Sequence, residues 1–319
     1  MNTKQHVTRR ELCGGIAALC CSLHAVRAHA QALRDQPLPL VQVAPGIFVS
    51  QGVHELVGRS NAGAIANIGV IIGTRGVCVV DTGGCFLWGQ RLREAIRRLT
   101  RLPITHLVQT HMHPDHIFGA AAFQSDHPVI LGHRNLAAAL AVRQEYYRRR
   151  LTDELGELAE GSVAVPPTQA VSAETEIDLG QRVVRVTAHK AAHTDNDLSL
   201  FDTQTRTLWA GDLVFMERVP ALDGSLLGWL AVMKDLQRVR AARVVPGHGP
   251  RVAEWPAALD AQERYLTLLR DQIRRLQHQG GTMEQAITSV GQEERPRWKL
   301  FDDYNARNVT AAFHELEWE

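Results

Sequence analysis

The sequence predicts an α/β protein in which two mixed β-sheets face each other and helices cover their outer sides, a four-layer αββα sandwich. Short apolar runs rich in β-branched residues recur along the first two thirds of residues 31–319, with helical stretches between them. These runs form two successive blocks of similar rhythm, and further helical stretches close the chain. With 45% hydrophobic and 22% charged residues, the composition is that of an ordinary globular protein.

The first block predicts the strands of one sheet. Apolar runs lie on both sides of the turn "TRG" (74–76), which indicates a β-hairpin. The residues after "VVDTGG" (79–84) have the apolar spacing of a helix. We expect strands at 46–51, 67–73, 77–81, 104–109 and 128–132, and helices at 86–100 and from about 135 to 158.

The second block predicts the other sheet and the C-terminal helices. Pro and Gly at the strand ends are typical of turns. We expect strands at 175–179, 182–188, 198–202, 207–211 and 243–247, and helices at about 225–240, 256–279, 282–290 and 307–317. No linker interrupts the pattern, so residues 31–319 are interpreted as a single domain.

Residues 1–30 have the pattern of an export signal. A basic start precedes an apolar stretch at 12–23 that is too short to span a bilayer, and the small residues "AHA" at 28–30 offer a cleavage site. The segment "TRREL" (8–12) resembles a twin-arginine signal, which favours that route over general secretion. We therefore expect a periplasmic protein.

The charge balance and the lengths of the apolar runs indicate which classes of partner are not expected. The 35 Lys and Arg nearly balance the 34 Asp and Glu, which gives no reason to expect nucleic acid or an acidic membrane surface as a partner. No later apolar run is long enough to insert stably in a membrane. Cys78 and Cys85 are predicted to be separate buried thiols. A small-molecule substrate is the partner we expect.

The stretch "THMHPDHIFGA" (110–120) crowds His111, His113, Asp115 and His116 into six positions. With 15 His in 319 residues, this spacing arises by chance with a probability on the order of 10⁻³. Four polar side chains beside a proline do not make a buried apolar face, because each needs its own hydrogen-bond partner. They indicate a functional site.

Three further polar residues, His193, Asp212 and His248, also follow predicted strands. Loops at the ends of rigid strands allow side chains from distant parts of a sequence to converge. Imidazole and carboxylate groups are ligands that zinc binds in proteins. The seven residues together predict a metal centre.

In order and spacing, these residues, with "AGD" (210–212) and "GHG" (247–249), resemble the metallo-β-lactamase superfamily of metal-dependent hydrolases. The resemblance covers about residues 41–250. It implies two zinc ions per chain, with His111, His113 and His193 at the first, Asp115, His116 and His248 at the second, and Asp212 bridging.

The same resemblance implies that a hydroxide shared by the two zinc ions attacks a carbonyl group, and that Asp115 orients the water or transfers its proton. His189 lies four residues before His193, and either could follow the strand; the "HTD" context resembles that of the superfamily and favours His193. Asp81 in "VVDTGG" is either a residue that steadies the metal loop or a helix cap or turn acceptor.

A narrower resemblance extends over nearly the whole mature chain. The segments "GVHELVGRSNAGAIANIG" (52–69) and "LFDDYNARNVTAAFHELEWE" (300–319) resemble the exported zinc metallohydrolases of quinoprotein relay systems. This implies a periplasmic hydrolase with a functional link to a quinoprotein dehydrogenase. The best-known broad-spectrum lactamases have Cys where Asp212 stands, which argues against that substrate class.

The substrate contacts stay open. Four residues of the loop at 52–65 are either part of a flap over the metal site or an ordinary polar loop: His54, Glu55, Arg59 and Asn61. Five aromatic residues near the C-terminus are expected in core or docking contacts rather than on substrate: Trp298, Phe301, Tyr304, Phe313 and Trp318.

The leading hypothesis is an exported dinuclear zinc hydrolase of an ester, thioester, lactone or amide. The first alternative is a mononuclear iron oxygenase of the persulfide-dioxygenase type, which shares the His-x-His-x-Asp-His stretch but binds iron through two His and one Asp. The second is a non-enzymatic metal or cofactor carrier. The complete second ligand set favours the hydrolase.

Overall fold

A computed structural model describes Leu33 and residues 36–318 of the chain. The predicted export signal at 1–30 lies outside the described residues. Residues from Pro39 onward form one compact unit, which contains all the elements described below.

The first sheet has seven strands in sequence order. The apolar and β-branched runs of the first block form its centre, where β3 and β4 are almost wholly buried. Neighbouring strands are antiparallel from β1 to β4 and parallel from β4 to β7. The strands are β1 (Val41–Ala44), β2 (Ile47–Ser50), β3 (Ile68–Ile72), β4 (Val77–Val80), β5 (Ile104–Val108), β6 (Val129–His133) and β7 (Gln169–Val171).

The second sheet has six strands in the order β13-β12-β11-β10-β9-β8. All neighbours are antiparallel except β11 and β12, which run parallel, so their carboxyl ends lie at the same edge. The strands are β8 (Glu174–Asp178), β9 (Val183–Ala188), β10 (Leu198–Asp202), β11 (Thr207–Phe215), β12 (Arg243–His248) and β13 (Ala253–Glu254).

The two sheets pack face to face through one apolar cluster. The cluster contains Val49, Val80 and Leu131 of the first sheet together with Val186 and Trp209 of the second, and all five are buried. Burial of this surface is the main term that holds the two sheets together.

Helices cover both outer faces. A second apolar cluster joins β11 and β12 to the helix between them and to the C-terminal helices, through residues such as Trp229, Tyr265 and Phe313. The helices are α1 (Phe86–Leu99), α2 (Pro114–Ile117), α3 (Leu136–Leu155), α4 (Leu226–Gln237), α5 (Asp260–His278), α6 (Met283–Ser289) and α7 (Phe301–Leu316). The predicted two-sheet sandwich with flanking helices is confirmed.

The differences from the sequence prediction lie at element ends and sheet edges. Helix α7 begins at Phe301, six residues before the expected start, with Asp302 and Asp303 in its first turn, where acidic residues favour a helix N-terminus. Strand β11 continues to Phe215 instead of ending at 211. The edge strands β1, β7 and β13 were not predicted, because strands of two to four residues show too little alternation to recognise.

Two smaller predictions concern the cysteines and the membrane. Cys78 and Cys85 are free and buried, as expected. Within the described residues, no helix combines the length and the apolar character that crossing a bilayer requires.

Gly89 of α1 tests the contact between this helix and the segment that follows the metal loop. A Cβ at Gly89 would lie 2.0 Å from the carbonyl oxygen of Gly119. Gly89→Ala should therefore lower the free energy of unfolding by about 1–3 kcal/mol, measured by urea denaturation. The exposed neighbour Gln90 provides a control, since Gln90→Ala should change it by about 0.5 kcal/mol or less.

Candidate metal centre

Six of the seven predicted ligands lie at the end of a strand or in the segment that follows one, whereas Asp212 was expected just after a strand and lies inside it. His111 to His116 follow β5 and enter the short helix α2, and His193 lies in the connection between β9 and β10. His248 is the last residue of β12. Asp212 lies within β11, next to Gly211, whose positive φ of 52° accompanies a break in the strand register. Both sheets therefore contribute to one site.

The seven side chains converge in two groups. The first comprises His111, His113, His193 and Asp212, and the second comprises Asp115, His116 and His248; within each group the ligand atoms lie within 4.8 Å of one another. The sequence analysis assigned Asp212 to a bridging position, whereas by distance it groups with the first set.

Asp212 connects the two groups. Its Oδ2 lies 3.3 Å from His193 Nε2 of the first group and 3.3 Å from His248 Nε2 of the second. Its Oδ1 lies 3.1 Å from His116 Nε2. A carboxylate between two sets of imidazoles has the position that a bridging ligand needs.

The donor atoms fit metal ions. His116 Nε2 and Asp212 Oδ1 are buried and 3.1 Å apart, yet they do not have the geometry of a hydrogen bond and neither has another partner in the described structure. Ring nitrogens also face each other: His113 Nδ1 lies 3.1 Å from His111 Nε2 and 2.9 Å from His193 Nε2. Converging nitrogen lone pairs repel unless a cation lies among them, so the set suits a metal such as zinc.

Contacts behind the ligands fix which ring nitrogen faces the centre. His193 Nδ1 donates to the carbonyl oxygen of Ala221 at 2.6 Å, and His248 Nδ1 donates to that of Ile65 at 2.7 Å. Their Nε2 atoms remain for metal. His113 is held the other way round, since its Nε2 lies 3.1 Å from Asp223 Oδ2 and its Nδ1 faces the centre.

Asp81 supports the metal loop directly. Its Oδ2 accepts from His116 Nδ1 at 2.8 Å and from Thr110 Oγ1 at 2.8 Å, and its Oδ1 accepts from the Thr110 backbone at 2.9 Å. Helix α1 begins five residues later and has no side-chain cap. Of the two roles left open by the sequence, the contacts match support of the metal loop.

The protonation states of His193 and Asp115 suit metal binding, whereas burial would lower the pKa of His116 but the surrounding carboxylates more than offset it and raise that pKa. Burial lowers the pKa of His193 to about 3, so the ring is neutral at pH 7 and has a free lone pair. Burial would raise the pKa of Asp115, but the neighbouring His116 and His248 more than offset it and hold that pKa below its usual range. Asp115 is therefore a carboxylate at neutral pH.

The competing candidate His189 lies away from the cluster. Its Nε2 is 2.7 Å from Ser199 Oγ of β10, and it belongs to neither group of converging side chains. The geometry thus brings His193, and not His189, to the centre.

A cavity of about 350 Å³ lies over the centre. Among the ligands, His113 and Asp115 are partly exposed and the other five are buried, so access is from this side. Helices α3 and α7 form two of its walls, which include Arg143 and Tyr146 from the first and Tyr304 and Arg307 from the second.

The loop at 52–65 contributes different residues from those singled out in the sequence. Val57, Gly63 and Ile65 line the cavity. His54 instead lies 3.3 Å from Glu217, and Asn61 donates to Glu55 at 3.0 Å within the loop. Arg59 lies against Gly156.

Sequence reasoning missed several residues of the cavity wall. Tyr304 was expected in core or docking contacts, whereas it lines the cavity; Trp298, Phe301 and Phe313 are buried in the core, and Trp318 is exposed. Arg218 and Asp223 were not singled out, because neither lies in a recognisable spacing. Their nearness to Asp212 along the chain was the one available signal.

Comparison with known proteins agrees with this geometry. Residues 62–248, more than half of the chain, match the metallo-beta-lactamase superfamily. The chain is 25% identical over 253 residues to the linear primary-alkylsulfatase of Pseudomonas sp. (strain ATCC 19151), a match that covers 67% of this chain and 48% of the relative. The chain thus spans about half the length of that curated relative.

Solved structures show the same fold. A metallo-beta-lactamase from Pontibacter korlensis superposes with a TM-score of 0.57 at 20% identity, over 72% of this chain and 99% of that one. The sec-alkyl sulfatase PisA1, as a double mutant, superposes with a TM-score of 0.63 at 15% identity, over 82% of this chain and 50% of that one. With the family match, these findings place the chain in the metallo-beta-lactamase superfamily.

His193 and His189 form a matched pair for testing the ligand set. We expect His193→Ala to retain about one metal ion fewer per chain than the unmodified protein, because it removes a ligand that no neighbour replaces. His189→Ala should retain the full content. Elemental analysis of the purified proteins measures both, and undiminished metal in His193→Ala would contradict the assignment.

Asp81 provides a second test. Asp81→Asn should weaken metal binding by about 10- to 100-fold, since a residue that orients a ligand typically contributes this much. Competition with a chromogenic chelator measures the affinity. Asp178, an exposed residue paired with Arg75, is the control, and an equal effect of Asp178→Asn would show that the loss is not local.

Proposed function

We propose that this protein is a dinuclear zinc hydrolase that cleaves an ester, thioester, lactone or amide. One observation carries the proposal: two complete ligand groups share Asp212 at the floor of a cavity large enough for a small molecule. Two zinc ions held there would lower the pKa of a water between them toward neutrality and stabilise negative charge on the substrate oxygen.

The residues of the chain supply orientation and proton transfer. Asp115 is partly exposed to the cavity, and its Oδ2 lies 3.3 Å from His248 Nε2. We assign to its carboxylate the orientation of the attacking water and the transfer of the water's proton to the leaving group. The buried face of the centre, closed by Phe215 against His193 and His248, keeps bulk water away from the imidazoles.

The geometry supports the hydrolase over the two alternatives. An iron centre of the persulfide-dioxygenase type uses two His and one Asp, whereas here Asp115, His116 and His248 form a further group beside the first. A carrier has to release its metal, but five of the seven ligands are buried and several are held from behind by hydrogen bonds. Both features favour a resident cofactor.

A sulfate ester is a second candidate substrate. The chain is similar to a linear primary-alkylsulfatase and to a sec-alkyl sulfatase, and these similarities cover 67% and 82% of it. A sulfuryl centre, like a carbonyl, develops negative charge on oxygen during attack by water, which the same site can stabilise.

We further propose that the protein acts in the periplasm, after export by the twin-arginine route, and in association with a quinoprotein dehydrogenase. The basic start and cleavage pattern of residues 1–30 support export. The resemblance of segments 52–69 and 300–319 to the metallohydrolases of quinoprotein relay systems supports the association.

The test combines metal analysis with a substrate panel. We expect about two zinc ions per chain in protein purified from its native compartment, and hydrolysis of one class among esters, thioesters, lactones, amides and alkyl sulfates. Chelation should abolish the activity and added zinc should restore it. About one iron per chain, or no hydrolysis of any class by the zinc-loaded protein, would contradict the proposal.

Asp115 has its own expected effect. Asp115→Asn should lower kcat by about 10²- to 10⁴-fold, the usual contribution of a group that transfers a proton. Metal content is measured on the same sample, because Asp115 also belongs to the second ligand group. Unchanged kcat in a variant that keeps its metal would refute the role.

A further inference from the structure

Arg218 is a buried cation beside the metal centre. Its exposed fraction is 3%, and it lies just beyond β11 in the wall of the cavity. Burial of a charged group is costly unless an opposite charge and hydrogen bonds compensate it. The surroundings of this guanidinium therefore indicate what it is placed to bind.

Most of the hydrogen-bonding capacity of Arg218 is unused. Its Nη2 donates to the hydroxyl of Tyr304 at 2.8 Å. Its Nη1 lies 3.3 Å from His248 Nδ1, but that nitrogen already donates its proton to Ile65 at 2.7 Å and has no lone pair left to accept. Its Nε is buried and has no partner among the described atoms.

The two arginines that α3 contributes to the cavity wall are paired with carboxylates, whereas Arg218 is not. Arg143 pairs with Asp223 at 2.9 Å, and Arg150 pairs with Glu154 at 2.7 Å. In the described part of the chain, no carboxylate lies within 4.0 Å of the Arg218 guanidinium. The charge of Arg218 is thus left for a group that enters the cavity.

Tyr304 and Arg307 extend this positive region along α7. The Tyr304 ring lies 5.0 Å from the Arg218 guanidinium carbon and 5.9 Å from that of Arg307. Because the Tyr304 hydroxyl accepts from Arg218, its own proton is free to donate to a ligand. Arg218, Tyr304 and Arg307 therefore supply hydrogen-bond donors on one side of the cavity, and the metal ligands form its floor.

We propose that Arg218, Tyr304 and Arg307 form an anion subsite that binds a carboxylate or sulfate group of the substrate. Guanidinium groups offer parallel N–H donors that match two oxygens of such an anion. The proposal rests on the proposed function, since it names the substrate class of the same site: an anionic molecule that reaches both the metal centre and the subsite. In a carboxylate substrate the charged group is separate from the scissile bond, whereas in a sulfate ester the charged group itself carries that bond.

The experiment measures binding rather than turnover, by isothermal titration of the full-length, zinc-loaded protein. The probes are hexanoate, hexane-1-sulfonate and the neutral hexanamide. At least one anion should bind about tenfold or more tightly than hexanamide, because a hydrogen bond to a charged group contributes about that factor or more. Preference for hexanoate indicates a carboxylate substrate, preference for the sulfonate indicates a sulfate ester, and both support the subsite.

Three variants separate the subsite from the general charge of the cavity. Arg218→Gln should weaken anion binding by about 10- to 100-fold and leave hexanamide unchanged. Arg307→Gln, at an exposed position, should weaken it by about threefold or more. The matched control is Arg150→Gln, which alters a paired arginine in the same cavity and should change anion binding by about twofold or less.

Metal content is measured for every variant, because Arg218 lies next to a predicted ligand. If Arg218→Gln folds poorly or loses metal, Arg307→Gln and Tyr304→Phe decide the question. The subsite would be overturned if the Arg150 control lost as much anion binding as Arg218→Gln. It would also be overturned if anion binding were undiminished in Arg218→Gln that keeps its metal, or in both Arg307→Gln and Tyr304→Phe. Anion binding without any hydrolysis would refute the hydrolase alone, whereas hydrolysis with no preference for anions would refute the subsite alone.

Discussion

The position of the Asp212 carboxylate is the constraint on which the centre depends. It has to contact imidazoles from both ligand groups, and the parallel pairing of β11 with β12 brings Asp212 and His248 to the same edge. A Cβ on Gly247 would lie 1.9 Å from Asp212 Oδ1, so only glycine leaves room for the carboxylate. Gly211, with a φ of 52°, turns the preceding backbone without strain.

The C-terminal helices are part of the same support. Asn308 of α7 accepts from the backbone of Leu222 at 2.9 Å and donates to the carbonyl oxygen of Pro220 at 2.7 Å. The segment between them contains Ala221, whose carbonyl oxygen orients His193. Helix α7 thus holds the segment that orients a metal ligand, while Tyr304 and Arg307 of the preceding turn line the cavity. This helix therefore supports the centre and forms part of the cavity wall.

The ligands could be predicted from sequence because their pattern is local. His111 to His116 lie within one stretch, and the others follow apolar strands that are recognisable on their own. The choice of His193 over His189 needed a family pattern, since both follow the same strand. The cavity wall could not be predicted, because Arg218 and Tyr304 are 86 positions apart and meet only through the packing of α7. Edge strands and helix ends were missed for a different reason: short segments show too little periodicity to be recognised.

Charge compensation connects the centre to its cavity. Among the seven ligands only Asp115 and Asp212 are carboxylates, so a pair of zinc ions would retain net positive charge, and the nearby Arg218 adds to it. Asp223 is already engaged by Arg143 and His113. In a cavity partly shielded from water, such an excess strengthens attraction for anions. A substrate with its own negative group would complete the compensation at Arg218, whereas a neutral substrate would leave a buried guanidinium unpaired. The site is therefore better matched to an anionic ester or amide than to a neutral one.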